Sequence, residues 1–462
     1  MMDNIFSGIN KEVSSFSITF KTVFCIGAII YISLWFFTIH LSSLQIEQKI
    51  EPILPALSKD SIEYVRLSES LLSGHGLRMD GRVETLRLPG YPLFVGSIKT
   101  ATGSYFGVTF VQIILVFLSG LIIRRIGIFF SGRKVGEISA VLFLINPVTM
   151  TLALLVLTDV LFLFLFILGV YLALSLSGQR LVSKTVIIAL LFIGAVYVRG
   201  MGIFALPIFI APFFGNPLPF RIQIKLAGLA VLLVLVSSLP WVLRNYRETG
   251  VPAFNSFESV NLSWSVPKFL AVINHSDEEV ETLAFQKETG VPASEWQNLG
   301  WHDIRYSKQI NSVGEKIILS HPFSYLKFHL ITSVPFLFPS SIQFAREAYD
   351  SALNIQEPFV YGAINSLTTG DWKNFLIAVT KDWWKMLERV LWLLGLILAG
   401  FTVWRERKNT LVWILVFIPF YLMLLSGPAS GPRLSFQAWP FMFILFAFGA
   451  VSLLQKFSGT NS

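Results

Sequence analysis

The sequence predicts an all-α, polytopic integral membrane protein. Only 14% of the 462 residues are charged, whereas roughly a quarter of the residues in a soluble domain are charged. Hydrophobic residues make up 54% of the chain, and 42 residues are phenylalanine. Apolar runs recur at the length that crosses a bilayer, roughly twenty residues. The formal net charge of +8 therefore indicates topology signals and contacts with anionic membrane lipids, not nucleic-acid binding.

Ten apolar runs are candidate spans. They lie near residues 22–43, 105–123, 135–150, 157–178, 184–199, 201–215, 224–243, 387–404, 410–427 and 434–455. Several are short and broken by proline or glycine, which in membrane proteins is typical of irregular backbone lining a cavity. We expect about 10–12 transmembrane helices, with short helices in the outer loops. The first run contains the lone Cys25 and is too long for the apolar region of a cleavable signal peptide, so we expect it to be retained.

Basic residues in the short loops predict the orientation. They cluster in four connections, at Arg124, Arg125, Arg133 and Lys134, at Arg180 and Lys184, at Arg221 and Lys225, and at Arg405, Arg407 and Lys408. If the N-terminus is cytoplasmic, all four connections fall inside, as the positive-inside rule requires. Residues 1–243 then form an N-terminal transmembrane module with a large outer loop, 44–104. Residues 244–386 form an outer segment with interfacial helices, and 387–462 form the C-terminal transmembrane helices.

The first outer loop contains a short amphipathic helix. Tyr64, Leu67 and Leu71 recur at helical spacing, so we expect this helix to lie on the membrane surface. Asp60 stands at its start and Glu63 follows three residues later. That spacing is typical of a helix-capping box, but it also places two carboxylates where they are available for chemistry.

The loop returns to the membrane through a rigid turn. Pro89 and Gly90 fix the turn, and Arg87 precedes it. A guanidinium at this depth could bind a phosphate with two parallel hydrogen bonds. The alternative is an interfacial arginine that extends its head group to water.

Several motifs along the chain resemble those of GT-C glycosyltransferases, specifically the protein O-mannosyltransferases (glycosyltransferase family 39) and the bacterial enzymes that add aminoarabinose or other sugars to lipid A and core saccharides. The motifs are Asp60-x-x-x-Tyr64, Leu71-Leu72-x-Gly74-x-Gly76, Arg87-x-Pro89-Gly90-Tyr91-Pro92, Thr158-Asp159, Arg199-Gly200, Pro240-Trp241-x-x-Arg244-Asn245-Tyr246, His321-Pro322-x-x-Tyr325 and Gly431-Pro432-Arg433. The chain departs from the pattern where Ser61 replaces a second acidic residue and where Leu434 replaces tyrosine.

The resemblance implies a polytopic GT-C fold and transfer of a single sugar from a polyprenyl phosphate, with inversion. Asp60 would deprotonate the acceptor hydroxyl, and arginines at the outer ends of spans would stabilise the departing polyprenyl phosphate. The residues expected in the site are Asp60, Asp159 and Glu63 as catalytic groups, Arg87, Arg199, Arg244 and Arg433 around the donor phosphate, and Tyr64, Tyr91, Trp241, Asn245 and His75 as substrate contacts.

The resemblance implies that residues 1–243 are the catalytic module, with the active site in loop 44–104, and that 244–386 recognise the acceptor. The identity of the acceptor and the need for a cofactor are less defined by the sequence. A lipid, a saccharide or a protein could accept the sugar, and a divalent cation is left open, since no HExxH or comparable metal motif is present. The absence of a Walker motif and of a GxGxxG fingerprint argues against a nucleotide donor. The lipid A-type relatives and the compact loops favour a bacterial inner membrane, with the active site on the periplasmic face.

Three other functions compete with this interpretation. A transporter or flippase of a lipid-linked saccharide would also have many spans and charges within the membrane, but related halves with matching broken helices are not evident. A ligase or polymerase using a polyprenyl diphosphate is disfavoured by the order of motifs in the first loop. A structural subunit with a degenerate site would keep the same fold.

Overall fold

The computed structural model describes residues 17–48, 55–56, 58–200, 202–298, 300–352 and 383–457. Within these ranges the regular secondary structure is helical, mostly α with short 3₁₀ segments, apart from one small β-ribbon. This confirms the all-α class, which follows from the bilayer: backbone groups that cannot reach water must bond within their own helix. The end of the predicted outer segment, at 353–382, lies outside the described residues.

Seven helices of the described chain are long and apolar enough to cross a membrane, which confirms a multi-pass membrane protein. They are α1 (Ile18–Gln48), α4 (Phe106–Ser131), α8 (Leu181–Val198), α10 (Phe220–Thr249), α18 (Trp383–Arg405), α19 (Thr410–Ser426) and α21 (Trp439–Phe457). Large apolar side chains such as Ile29, Leu190 and Leu232 are well exposed on their outer faces, as expected where lipid surrounds a bundle.

The other three predicted spans are broken or short. Helices α5 (Arg133–Leu144) and α6 (Pro147–Ala153) meet at a bend of 60° and count as an eighth crossing if taken together. Pro147 lacks an amide hydrogen and Asn146 caps the second helix by accepting from the amide of Val148 at 2.9 Å, so the helix restarts there. Helix α7 (Asp159–Leu174) and helix α9 (Leu206–Ile210), the latter with 3₁₀ turns on both sides, are shorter apolar helices.

Two short elements shape the first loop. Helix α2 (Lys59–Leu72) is the predicted amphipathic helix, and Tyr64 and Leu67 on its inner face are buried. A β-ribbon follows, in which β1 (Arg78–Met79) pairs antiparallel with β2 (Arg82–Val83). Helix α3 (Gly90–Thr102) leads back into the bundle.

A group of short helices between residues 257 and 320 packs together, and we call it the cap. It consists of α11 (Phe257–Asn274), α12 (Glu278–Thr289), α13 (Ala293–Gln297) and α14 (Ser307–Ser320), around its own apolar cluster. Salt bridges join it and α10 to the β-ribbon: Arg82 to Glu295 at 2.7 Å and Arg78 to Glu248 at 2.6 Å. The cap is therefore held against the first loop.

The apolar stretch from Tyr325 to Pro339 is divided between two short helices. They are α15 (Pro322–Thr332) and α16 (Val334–Leu337), and α17 (Ser341–Ala352) follows. The 11 residues of α15 extend about 16 Å at 1.5 Å per residue, about half of a bilayer core. Phe323, Leu326 and Ile331 lie exposed on this helix, consistent with an interfacial element.

Candidate active site

Asp60 lies at the second position of α2, and its carboxylate is not used for capping. Ser58 is the N-cap residue, and its hydroxyl accepts from the amide of Ser61 at 3.1 Å. The capping-box alternative for Asp60 is therefore wrong. One carboxylate oxygen of Asp60 accepts from Arg87 Nη2 at 2.8 Å and the other from Arg433 Nη1 at 2.5 Å. The side chain is 35% exposed, so it forms an accessible edge of the site.

Arg87 is fixed by a second carboxylate on the same helix. Its Nε donates to Glu63 at 2.6 Å, and its Nη2 also donates to that carboxylate. Its guanidinium carbon lies 4.9 Å from the centre of the Tyr64 ring, a cation–π distance. Glu84 accepts from the amide of Arg87 at 2.9 Å and so holds the backbone beneath it.

The glycine of the rigid turn allows α3 to approach α8 closely. A β-carbon on Gly90 would lie 2.6 Å from the backbone of Tyr197, near the end of α8. No side chain fits at that distance. Helix α8 ends at Val198, with Arg199 immediately after it, so this contact brings Arg199 towards the loop that carries Arg87.

Asp159 is the buried partner of the remaining arginines. It opens α7 with 0% of its surface exposed. One oxygen accepts from Arg199 in a short hydrogen bond and from Gln437 Nε2 at 3.1 Å, and the other accepts from Arg433 Nε at 2.8 Å. No side-chain cap is formed by Thr158, and the Asp159 carboxylate serves ion pairing.

Six predicted residues thus form one hydrogen-bonded chain, which we call the central network: Glu63, Arg87, Asp60, Arg433, Asp159 and Arg199. Their helices and loops are far apart in sequence, and Asp60 and Arg433 are separated by 373 residues. Three guanidinium groups face three carboxylates, so the charges balance. Burial by itself would raise the pKa of Asp60, but Arg433 and Arg87 outweigh it and lower the pKa to about 2.

Gln112 supports the network and was not predicted from the sequence. Its side-chain oxygen accepts from the Tyr91 hydroxyl at 2.7 Å, and its Nε2 donates to the carbonyl of Leu155 at 2.7 Å. The amide of Val156 donates to the carbonyl of Pro55 at 3.1 Å. The segment before Asp159 is therefore tied to both α4 and the first loop.

The predicted phosphate ligand Arg244 lies outside the central network. Its Nη1 donates to the carbonyl of Glu84 at 2.8 Å and its Nη2 to that of Leu77 at 3.0 Å, and it stacks on Trp241 at 4.7 Å. The side chain of Asn245 accepts from Arg244 and donates to the carbonyl of Phe254 at 3.0 Å. These contacts brace the first loop against the turn after α10.

The remaining predicted substrate contacts differ in accessibility. Tyr91 and Asn245 have no exposed surface, and Tyr64 is buried beneath Arg87. His75 is exposed between two glycines with positive φ, and its Nδ1 lies 2.9 Å from the Ser73 hydroxyl. The structure does not bring His75 into the network.

Two further residues were not predicted from the sequence. Gln437 is buried and lies four residues after Arg433, a helical spacing that could have indicated it. His302 lies in a 3₁₀ turn of the cap, and burial, with the positive charges of Arg87 and Lys59, lowers its pKa to about 4. Among the described residues no group of three or more histidine, cysteine, aspartate or glutamate side chains is placed to hold a metal ion.

Comparison with solved structures finds similarity to the archaeal oligosaccharyltransferase AglB of Archaeoglobus fulgidus. Its complex with an inhibitory peptide and a dolichol-phosphate is 13% identical, with a TM-score of 0.48, and the alignment covers 96% of this chain and 51% of that one. The apo form of the oligosaccharyltransferase of the same organism is 15% identical, with a TM-score of 0.49 and coverage of 96% and 52%. A form tethered to an acceptor peptide containing the NVT sequon is 14% identical, with a TM-score of 0.49 and coverage of 95% and 50%. The chain spans about half the length of these enzymes. No family model and no curated protein matches the sequence.

Proposed function

We propose that this protein is a glycosyltransferase that moves a single sugar from a polyprenyl-phosphate donor to an acceptor hydroxyl, with inversion at the anomeric carbon. The observation that carries the proposal is the position of Asp60. Its carboxylate lies at an accessible edge and is held by Arg87 and Arg433, so a base and two phosphate-binding groups are adjacent.

The donor phosphate would take the place of Asp60 on the guanidinium groups. Phosphate and carboxylate accept the same forked hydrogen bonds from arginine. With a pKa of about 2, Asp60 is a weak base while both arginines hold it. Once the phosphate binds them, the field on the carboxylate weakens and its pKa rises, so donor binding would activate the base.

The chemical step is a displacement at the anomeric carbon. The acceptor oxygen forms a bond to the anomeric carbon as its proton passes to Asp60, and the bond from that carbon to the phosphate oxygen breaks. The electron pair leaves with the phosphate, and Arg87 and Arg433 stabilise the charge that develops there. Glu63 would orient Arg87, whereas Asp159, with Arg199 and Gln437, would orient Arg433.

The proposed location is a bacterial inner membrane with this site on the periplasmic face. The central network gathers the start of α7, the end of α8 and the short helix α20 (Pro432–Ser435), which precedes α21, at one end of the helices. The four basic connections lie at the opposite helix ends. Since basic loops stay cytoplasmic, the network would face the outside, where a divalent cation could also enter.

The test uses purified protein in vesicles, supplied with labelled polyprenyl-phosphate monosaccharides and a lipid, saccharide or protein acceptor fraction. Release of polyprenyl phosphate and labelling of one acceptor are measured for the wild type, Asp60→Asn and Asp80→Asn. Asp80 is a matched control, because it is an acid of the same loop with a side chain 79% exposed.

We expect turnover with one donor by the wild type and by Asp80→Asn, and a loss of 10²–10⁴-fold in Asp60→Asn, the range of general-base catalysis. Equal turnover by Asp60→Asn and wild type would refute the base assignment. Movement of the intact donor across the bilayer without sugar release would refute the transferase and favour a flippase.

A further inference from the structure

His329 of α15 bonds to the end of α19, the span that leads to Arg433. Its Nε2 lies 2.7 Å from the carbonyl oxygen of Leu424, in the last turn of α19. Because a carbonyl only accepts, the imidazole proton is on Nε2. The amide that would bond this carbonyl within a helix belongs to the residue four places on, and that residue is Pro428, which has no amide hydrogen. His329 therefore supplies a donor that the sequence of α19 lacks.

The same imidazole packs against Gly427, where the chain leaves α19. Gly427 has a φ of +44°, in the left-handed region that glycine adopts readily. A β-carbon at Gly427 would overlap Cε1 of the His329 ring. The ring thus occupies the space of a side chain at this position, and the contact and the hydrogen bond together fix the direction in which the chain leaves the helix.

A short hydrogen-bonded turn connects this point to Arg433. The amide of Ser430 donates to the carbonyl of Gly427 at 3.0 Å, and at the start of α20 the amide of Leu434 donates to the carbonyl of Gly431 at 3.1 Å. Helix α15 packs against the first part of this turn, and α16 packs against α20. A displacement of Gly427 is therefore passed on to the backbone of Arg433.

The guanidinium of Arg433 has to meet two carboxylates at once. Its Nε donates to Asp159 at 2.8 Å and its Nη1 to Asp60 at 2.5 Å. Hydrogen bonds of this kind weaken steeply when distance and angle depart from these values. A shift of the backbone that carries Arg433 would cost at least one of the two contacts.

We infer that His329 is a positioning residue for the donor site. Its Nε2–H fixes the end of α19, so that Arg433 reaches Asp60 and Asp159 and, during turnover, the donor phosphate. The kinetic consequence rests on the proposed function, whereas the effect on the position of Arg433 does not.

Two substitutions separate the hydrogen bond from the bulk of the ring. His329→Leu removes the donor and keeps an apolar side chain, whereas His329→Gln places an amide nitrogen where Nε2 was. The Nδ1 atom is buried and has no hydrogen-bond partner among the described residues, so the bond to Leu424 is what the glutamine has to restore. His321→Leu is the matched control, because this exposed imidazole at the start of α15 bonds only to neighbours within four residues in the described chain.

The kinetic experiment measures sugar transfer in vesicles for these variants in two backgrounds, wild type and Arg433→Gln. In the wild-type background we expect His329→Leu to lower kcat/KM for the donor about 10-fold, less than the ~10²-fold that a 1 Å misplacement can cause, with KM for the acceptor unchanged. His329→Gln should retain most of the wild-type value, and His321→Leu all of it. In the Arg433→Gln background His329→Leu should cost less than about twofold, because residues that act through one another are not additive.

A second measurement does not depend on activity. Phenylglyoxal modifies accessible guanidinium groups, and the side chain of Arg433 is 28% exposed. Mass spectrometry of the purified protein gives the rate of modification at Arg433 and, as an internal reference, at Arg244. We expect His329→Leu to raise the rate at Arg433 and leave that at Arg244 unchanged, and His329→Gln to behave as wild type.

Three results would overturn the inference. They are a wild-type kcat/KM in His329→Leu, an equal loss in both backgrounds, and a lowered melting temperature with the reactivity of Arg433 unchanged. Absence of sugar transfer by the wild type would instead overturn the proposed function, and the reactivity of Arg433 would then decide by itself whether His329 positions it.

Discussion

Arg433 and Arg244 start from the same sequence signal but have different surroundings. Each is an arginine at the end of an apolar segment, and each was predicted to bind the donor phosphate. Arg433 contacts the carboxylates of Asp60 and Asp159, whereas Arg244 donates to the backbone carbonyls of Leu77 and Glu84.

The kind of hydrogen-bond acceptor decides which of the two arginines can exchange its partner for a ligand. A carboxylate on a guanidinium can be replaced by another anion, such as a phosphate, without loss of hydrogen bonds. Backbone carbonyls have no such substitute, because losing the arginine leaves them unsatisfied. We therefore propose that Arg433 binds the donor phosphate and that Arg244 holds the first loop in place, and the predictions below test that contrast.

Of the two arginines, Arg433 should give the larger kinetic effect when it is replaced by glutamine. The change removes a phosphate-binding group and leaves the buried Asp159 with fewer charged partners, so we expect kcat/KM for the donor to fall about 10²–10³-fold, as for loss of one oxyanion-stabilising group. Arg433→Lys should recover only part of the activity, because an ammonium cannot make the same forked contacts. Transfer kinetics at matched protein levels measure both. Near-normal kcat/KM in Arg433→Gln would contradict the phosphate assignment.

Arg244→Gln should lower stability more than catalysis. Two carbonyls lose their donor, at a cost of about 1–3 kcal/mol for each group left buried and unsatisfied. We expect a lower melting temperature and kcat of the folded protein within about threefold of wild type. Thermal unfolding in detergent and kinetics below the transition separate the two effects. If Arg244→Gln lowers kcat/KM for the donor as much as Arg433→Gln does, the proposed division between a phosphate-binding and an architectural arginine is wrong.

Tyr91→Phe tests whether a predicted substrate contact is architectural. The change removes the 2.7 Å hydrogen bond to Gln112, a loss of about 1 kcal/mol for a typical hydrogen bond. Because Tyr91 has no exposed surface, we expect KM for donor and acceptor to stay unchanged while the melting temperature drops. A raised KM without a change in stability would instead support the prediction that Tyr91 contacts a substrate.

The last prediction is a pH dependence of stability at His302 and Asp60. From its ordinary value of 6.5, the pKa of His302 falls to about 4 in the folded protein. The unfolded chain therefore binds this proton first, and the free energy of unfolding decreases as the pH falls from 6.5 to 4. The lowered pKa of Asp60 contributes stability that is present above pH 3.8 and lost as the pH falls through about 2.

The measurement is the denaturation midpoint against pH. His302→Gln should flatten the curve between pH 6.5 and 4 relative to wild type. Asp60→Asn should lower the midpoint above pH 3.8, where the paired carboxylate stabilises the fold, and flatten the curve below that pH. Parallel curves for wild type and His302→Gln would show that His302 carries its ordinary pKa.

The parts of the site that sequence could predict are those with a local signature. Asp60 at a helix start, Arg87 before the Pro89-Gly90 turn and Arg433 before the last span each stand beside a feature readable within a few residues. Gln112 and His302 lack such a feature. Gln112 lies within an apolar span, and the position of His302 depends on Thr85, 217 residues away.

Sequence by itself determined that this chain is a helical membrane protein and where seven of the ten predicted spans lie, because the bilayer imposes apolar length and internal backbone hydrogen bonding on each segment separately. Only the tertiary structure decided which charges meet. It paired Arg433 with Asp60 across 373 residues, gave Arg244 to backbone carbonyls and joined the backbone of His302 to Thr85. The partner of a charge is set by how helix ends pack, and no local pattern in the chain records that packing.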